Sequence, residues 1–371
     1  MKNIKFNVLI IFLLIFNISL SACVSKNGQL IISHDDLSAL QAVLWAISPE
    51  REVQMLTQHR NNIKLFDEVI AQEKALPHSK INTDVIKWNQ KTLTVKQNAQ
   101  GETVPIVVVD LDETFIDNTP SAAYLLLAHQ EFTDDLWTRW VRTKQAKIFA
   151  GVLEFVEHVH KKGALIIFVS NRSQDDHLEA TKQNMINQNY PPALLENYVW
   201  WMKGKKDVQG KVITQKEDRY HYLENNLLKV ADVEVKPQIM MVVGDDINDF
   251  NSNFTYNKDL EHRINYLKDQ DINALFGNVA PKVNFLCQNN KVIKNYFGGV
   301  QKADKFLLNQ GYINDVKNLV LSYNTYSFIG GNAMYGGWQE TFKIKYRHRF
   351  NNINYMKEAV TKFLDLFQKW F

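Results

Sequence analysis

The sequence predicts an α/β protein whose core is a Rossmann-like open parallel sheet, accompanied by a smaller helical domain. Three observations predict it. Residues 106–109 (IVVV), 164–169 (ALIIFV) and 239–243 (IMMVV) are apolar runs without polar alternation, the pattern of strands covered on both faces. Helical stretches at 152–162 and near 217–229 lie between them, and strands alternating with helices close right-handed crossovers onto one sheet. Each run also ends in a polar cluster with no packing role, which is where open α/β sheets bind ligands.

Composition agrees with a globular chain. Hydrophobic residues make up 45% and charged residues 22%, which argues against disorder and coiled coil. The 43 basic and 40 acidic residues leave a formal charge of +3, too near neutral to gather nucleic acid or an anionic membrane through a long-range field. No nucleic-acid partner is therefore expected.

Taken in order, the elements begin with a leader. Lys2 and Lys5 precede an apolar stretch at 8–20, too short to span a bilayer comfortably but of the length of a secretory h-region. It runs into Leu20-Ser21-Ala22-Cys23, which resembles the lipobox of bacterial lipoproteins. That resemblance implies a signal peptide over 1–22, acylation of Cys23 (palmitate among the groups), a tether over 23–36, and an extracytoplasmic protein held by lipid. Val24 rather than Asp follows the cysteine, which favours the outer membrane. The other reading is an ordinary signal peptide with an incidental cysteine. Cys287 is the second of two cysteines, so a disulfide framework and a cysteine zinc site are both excluded.

Residues 37–100 form an N-terminal helical segment. Ser48-Pro49-Glu50 is a capped start, followed by Val53, Leu56, Ile63, Phe66 and Ile70 at three-to-four spacing, a packing stripe without ligand-type residues. A break at 97–101 opens the core region, 101–340, which contains a helical cap segment at 117–150 and an insertion at 278–325. Val283, Phe285, Leu286, Phe297 and Phe306 give that insertion the apolar content of ordered structure. The C-terminal helix, 341–371, carries Ile353, Met356, Val360, Phe363 and Phe367 on one packing stripe. His158 and His160 face apart on a helix and are no metal pair, and the basic run at 343–349 is a solvated face.

The chemistry collects at the three strand ends: Asp110-Leu111-Asp112-Glu113-Thr114, Ser170-Asn171-Arg172, and Gly244-Asp245-Asp246-Ile247-Asn248-Asp249. In a doubly wound sheet these meet in one crevice. One Asp after a strand is usually a turn former or helix cap. Two acid-rich clusters in one crevice repel unless a cation sits among them, and hard oxygen donors suit Mg²⁺.

Here the sequence resembles a family. VVVDLDETFIDN, LWTRWV, IIFVSNR, VVGDDINDF and NAMYGGW, in that order over about residues 40–340, are similar to the class C bacterial acid phosphatases of the haloacid dehalogenase superfamily. The chemistry then assigns roles. Asp110 is the nucleophile that forms an aspartyl-phosphate, and Asp112 the general acid and then base. The hydroxyls of Thr114 and Ser170 hold phosphoryl oxygens, with Asn171 beside the substrate. Mg²⁺ would be ligated by the carboxylates of Asp110 and Asp245 and the carbonyl of Asp112, with Asp249 and Asp246 behind them.

The sequence departs from the family pattern in places. The phosphate-neutralising lysine is best matched by Lys216, in Lys-x-x-Arg with Arg219, but Lys203, Lys205, Lys206 and Lys211 compete for the role. Asp246 stands where the family commonly has Asn. Trp137 and Tyr335 match the two sides of a slot for a nucleobase or aryl ring, or else are core aromatics. The expectation is a lipid-anchored, Mg²⁺-dependent acid phosphatase for nucleoside 5′-monophosphates and aryl phosphates. A phosphatase for sugar or peptide phosphates, or a non-catalytic surface-binding lipoprotein on the same fold, are the alternatives.

Overall fold

The computed structural model describes residues 42–97, 99–128, 130, 132–246, 249–250 and 326–328. Helix α1 (Pro49–Lys74) starts at Ser48, whose hydroxyl accepts the Arg51 N–H at 3.2 Å, with Pro49 in the first turn. Its buried face runs through Met55, His59, Asn62, Phe66, Val69 and Ile70. Val53 is exposed instead of joining the stripe. Arg51 takes that face, its guanidinium reaching Asp117 and Thr119 at 3.1 Å each.

Segment 37–100 is not helical throughout. Strands β1 (Ile86–Trp88) and β2 (Leu93–Val95) make an antiparallel hairpin with Ile86 opposite Val95. Strand β3 (Val104–Val109) follows, every residue buried. The cap segment then holds helices α2 (Thr119–Leu127) and α3 (Asp134–Thr143), closed at its base by antiparallel pairing of β4 (Ile116–Asp117) with β5 (Lys147–Ile148). Helix α4 (Val152–Lys161) returns the chain to β6 (Leu165–Phe168). Helices α5 (Gln174–Asn187) and α6 (Lys216–Asn225) and the hairpin β7 (Leu228–Val230) and β8 (Val233–Val235) lead to β9 (Pro237–Gly244). The helix expected near 217–229 stops at Asn225 because Leu228 already faces the core as part of a strand.

The sheet is parallel, in the order β10 (Tyr326–Phe328), β9, β3, β6. β3 is therefore the switch point: the chain crosses from it to β6 on one side and comes back to β9 on the other. The crevice at its carboxyl end is where such sheets place ligands. Phe115, Phe155, Phe168 and Trp200 pack below it, with Phe168 and Trp200 stacked at 4.8 Å. The turn from α4 into β6 requires glycine. Gly163 has φ +80°, and a Cβ there would lie 1.8 Å from the Thr83 carbonyl oxygen.

Two histidines are sealed inside, His59 on α1 and His160 on α4. Burial pushes each down to about 4, so both are neutral imidazoles. No helix among the described residues is long and apolar enough to cross a membrane. Cys23, Cys287, Tyr335, the leader and tether, the 278–325 insertion and the C-terminal helix lie outside the described residues.

Candidate active site

The backbone of Asp110 extends β3 by one ladder bond, its N–H donating to Val243 O at 2.9 Å. The chain then turns sharply. Glu113 takes φ +57°, and the N–H groups of Phe115 and Ile116 both return to Leu111 O. Asn118 locks the turn, with its N–H on Glu113 Oε1 at 2.7 Å. Burial, with Asp112 close by, pushes the Glu113 carboxyl well above its usual range despite the Asn118 bonds.

Asp110 faces Asp245 and Asp249 at the end of β9. One carboxylate oxygen from each lies within 4.8 Å of the others. Lys216, the first residue of α6, joins them. Its Nζ donates to Asp110 Oδ1 and, at 2.6 Å, to Asp249 Oδ1, all three side chains being buried. Burial works against the ammonium, but Asp110 and Asp249 more than offset it and hold Lys216 protonated well above its usual range. Burial raises Asp110 and Asp249, while Lys216 pulls both back. Of the five lysines the sequence left in competition, Lys216 is the one whose ammonium enters the acid cluster. Lys203, Lys206 and Lys211 are exposed and Lys205 lies over the Trp201 ring.

Asp249 is held from three sides. Its Oδ2 accepts the Asp246 N–H at 3.1 Å, its carbonyl accepts the Tyr220 hydroxyl at 2.6 Å, and it presses on Gly244, where a Cβ would meet Oδ2 at 2.4 Å. Asp246 enters the site through this backbone N–H, and its side chain is half-buried. Asp249 thus stands within the trio rather than behind it.

Thr114 differs from its expected placement. It is fully buried and its hydroxyl donates to Asp245 Oδ1 at 3.0 Å, so it orients a carboxylate instead of facing a phosphoryl group. The sharp turn after Asp112 swings it under β9.

The second cluster closes the crevice from β6. Ser170 Oγ is buried and accepts the Arg172 N–H at 3.2 Å, which leaves the hydroxyl proton to donate. Asn171 is exposed at the mouth, its Oδ1 taking Arg219 Nη2 at 3.0 Å. Arg219 sits one turn beyond Lys216 on the same helix face and fastens α6 to this loop through Ser170 O at 2.6 Å and Trp201 O at 2.8 Å. Burial lowers Arg219 to about 10.

Asp112 is not one of the trio and has partners of its own. Its carboxylate meets Arg172, with Nη2 and Nε on Oδ1 at 2.7 and 2.9 Å, and Asn118 Nδ2 on the same oxygen at 2.8 Å. Trp137, on cap helix α3, is half-buried, with its ring 5.4 Å from the Arg172 guanidinium and 6.1 Å from Phe132. Arg172 and Asn118 were not singled out from the sequence as site residues. Each nevertheless lies inside a motif there, and a charged residue in the polar cluster that follows a buried strand is the signal that could have found Arg172.

The donor set of the trio is entirely carboxylate oxygen, which fits a hard divalent cation. The arrangement can therefore pair a nucleophilic carboxylate with a cation site, a buried ammonium and a separate carboxyl held by Arg172.

A family model described as HAD superfamily, subfamily IIIB (acid phosphatase) matches residues 46–271, more than half of the chain and every cluster above. Two solved structures are similar, both of the class C acid phosphatase from Bacillus anthracis. The first has a TM-score of 0.52 at 18% identity, covering 88% of this chain and 97% of that one. The second, with tungstate bound, has a TM-score of 0.51 at 18% identity, covering 89% and 97%. At that identity the likeness is one of fold.

Proposed function

Since this chain belongs to the HAD superfamily, subfamily IIIB acid phosphatases, and is a phosphoric monoester hydrolase, we propose that it works through an aspartyl-phosphate on Asp110, with Mg²⁺ as its cation and nucleoside 5′-monophosphates and aryl phosphates as substrates. The observation that carries the reading is Lys216 Nζ shared between Asp110 and Asp249 at the switch point of the sheet. An ammonium held there opposes the protonation that burial favours at the nucleophile, and neutralises an arriving phosphate dianion.

In this mechanism a carboxylate oxygen of Asp110 attacks phosphorus while the ester oxygen leaves with a proton from Asp112. Asp112 then takes a proton from the water that hydrolyses the acyl phosphate. Ser170 donates its hydroxyl to a phosphoryl oxygen, and Thr114 keeps Asp245 in place. Asp110 and Asp245 would hold Mg²⁺, with Asp249 beside them, and the ion would supply charge neutralisation at the phosphoryl oxygens. The half-buried Trp137 on the rim favours a ring in the leaving group. A sugar or peptide phosphate would leave that ring without a role, and with Asp110 and Asp112 both present the binding-only reading has no support.

Location is part of the proposal. The Leu20-Ser21-Ala22-Cys23 sequence supports a lipid anchor on Cys23 and an extracytoplasmic site at the outer membrane. The test of function is Asp110→Asn in the full chain with Mg²⁺ supplied. Turnover of every phosphomonoester should vanish while the circular dichroism spectrum is kept, because an amide is a far poorer nucleophile. Near-full activity would overturn the mechanism.

A further inference from the structure

Oδ1 of Asp112 is crowded with donors. Arg172 Nη2, Arg172 Nε and Asn118 Nδ2 all converge on it, at 2.7, 2.9 and 2.8 Å. Oδ2, among the described residues, receives only the longer contact from Arg172 Nε at 3.2 Å. An oxygen surrounded by three N–H groups has no room for a proton of its own, since an added O–H would face a donor. Oδ2 is therefore the less encumbered oxygen, the one open to an approaching ester.

The donors are themselves fixed. Arg172 is buried, its Nη1 donates to Thr181 Oγ1 at 2.9 Å, and the Trp137 ring covers its guanidinium from the cap side. Asn118 Oδ1 accepts Trp140 Nε1 at 2.8 Å and Arg172 Nη2 at 3.2 Å, which sets the amide so that Nδ2 points to Asp112. The cap helix thus reaches Asp112 through two side chains, and neither touches the Asp110–Asp245–Asp249 trio.

We infer that Arg172 is a positioning residue that, with Asn118 and Trp140, clamps Asp112 by Oδ1 and presents Oδ2 to the leaving oxygen. The inference rests on the reading of Asp112 as general acid. As the bond from Asp110 to phosphorus forms, the bond from phosphorus to the ester oxygen breaks. The ester oxygen keeps that electron pair and takes the proton from Oδ2, and Asp112 is left as carboxylate. A good leaving group needs no proton, so loss of the clamp is felt by poor leaving groups.

The test compares phenyl phosphate with p-nitrophenyl phosphate, which share a ring and differ in leaving group, using the full chain. Arg172→Met should lower kcat/KM about 100-fold for phenyl phosphate, within the range of general acid catalysis, and only about threefold for p-nitrophenyl phosphate. Asp112→Asn should give the same split. Arg172→Met added to Asp112→Asn should cost less than about twofold more, because a residue acting only through its neighbour is silent once that neighbour is gone. Equal losses on both substrates, or full additivity, would overturn the inference while leaving Asp112 as acid. Absence of a split in Asp112→Asn itself would overturn the acid reading and this inference with it. Should Arg172→Met fail to fold, Trp140→Phe removes a single N–H from Asn118 and must still show a smaller split of the same sign. Equal kcat/KM changes in that variant would sink the clamp.

Discussion

Lys216 Nζ lies 2.6 Å from Asp249 Oδ1 and is shared with Asp110, so one buried ammonium ties the end of β9 to the end of β3. Removing it leaves acids facing each other in a closed space, and breaking a buried pair from one side costs about 3–5 kcal/mol. Lys216→Met should lower kcat by about 100-fold or more and also lower Tm, with added Mg²⁺ recovering part of the Tm but little of the rate. Steady-state kinetics and thermal melts with and without Mg²⁺ check this. A variant with unchanged kcat would remove Lys216 from the chemistry.

Acid should weaken the fold through the two sealed histidines. His59 and His160 are neutral in the folded chain and pushed from 6.5 down to about 4, whereas the unfolded chain protonates them at their ordinary value. Between those values the unfolded state binds more protons, so stability is fully present above pH 6.5 and is lost as pH falls towards 4. The pair should contribute a loss of a few kcal/mol, at about 1.4 kcal/mol per unit of pKa difference. Urea unfolding at pH 7, 6, 5 and 4 measures it. His160→Gln should flatten the decline, and an unchanged slope would count against the idea.

The proposed preference for a ring in the substrate is tested at Trp137. Stacking a base on one aromatic ring contributes about 1–3 kcal/mol, so Trp137→Ala should lower kcat/KM for nucleoside monophosphates by about tenfold or more. A small alkyl phosphate does not reach the ring and should be hydrolysed nearly as before. Equal losses for both would mean that Trp137 acts as a packing residue over Arg172.

The proposed lipid anchor should be separable from catalysis. Cys23→Ser should move the protein from the membrane fraction to the soluble one with its specific activity intact. Fractionation followed by an assay of each fraction decides it, and a mutant that stays with the membranes refutes the lipid anchor.

The three long strands of the sheet were legible because each is an apolar run without alternation, and Asp110, Ser170 and Asp245 follow directly from where those runs end. The hairpin at 86–95 was not, since two three-residue strands carry too little periodicity to stand out from a loop. Val53 misled because helical spacing does not say which of two adjacent stripes faces in, and a buried Arg51 decided it. Thr114 misled for another reason: the left-handed turn at Glu113 sets the direction of the next side chain, and no residue type announces it. The clamp on Asp112 depends on rotamers from three separate elements, which spacing along the chain does not encode.

The contacts that make the cleft join distant parts of the chain. Lys216 and Asp110 are 106 residues apart, Thr114 and Asp245 131, and Arg172 and Asp112 60. Each closes a long loop whose entropy is lost before the contact gives anything back, which favours completing the cleft late in folding. A chain still emerging from a ribosome already carries Asp110 but has neither its ammonium partner nor the β9 carboxylates in place. A partly folded chain would therefore lack the means to turn over a phosphate ester until the last crossover has closed.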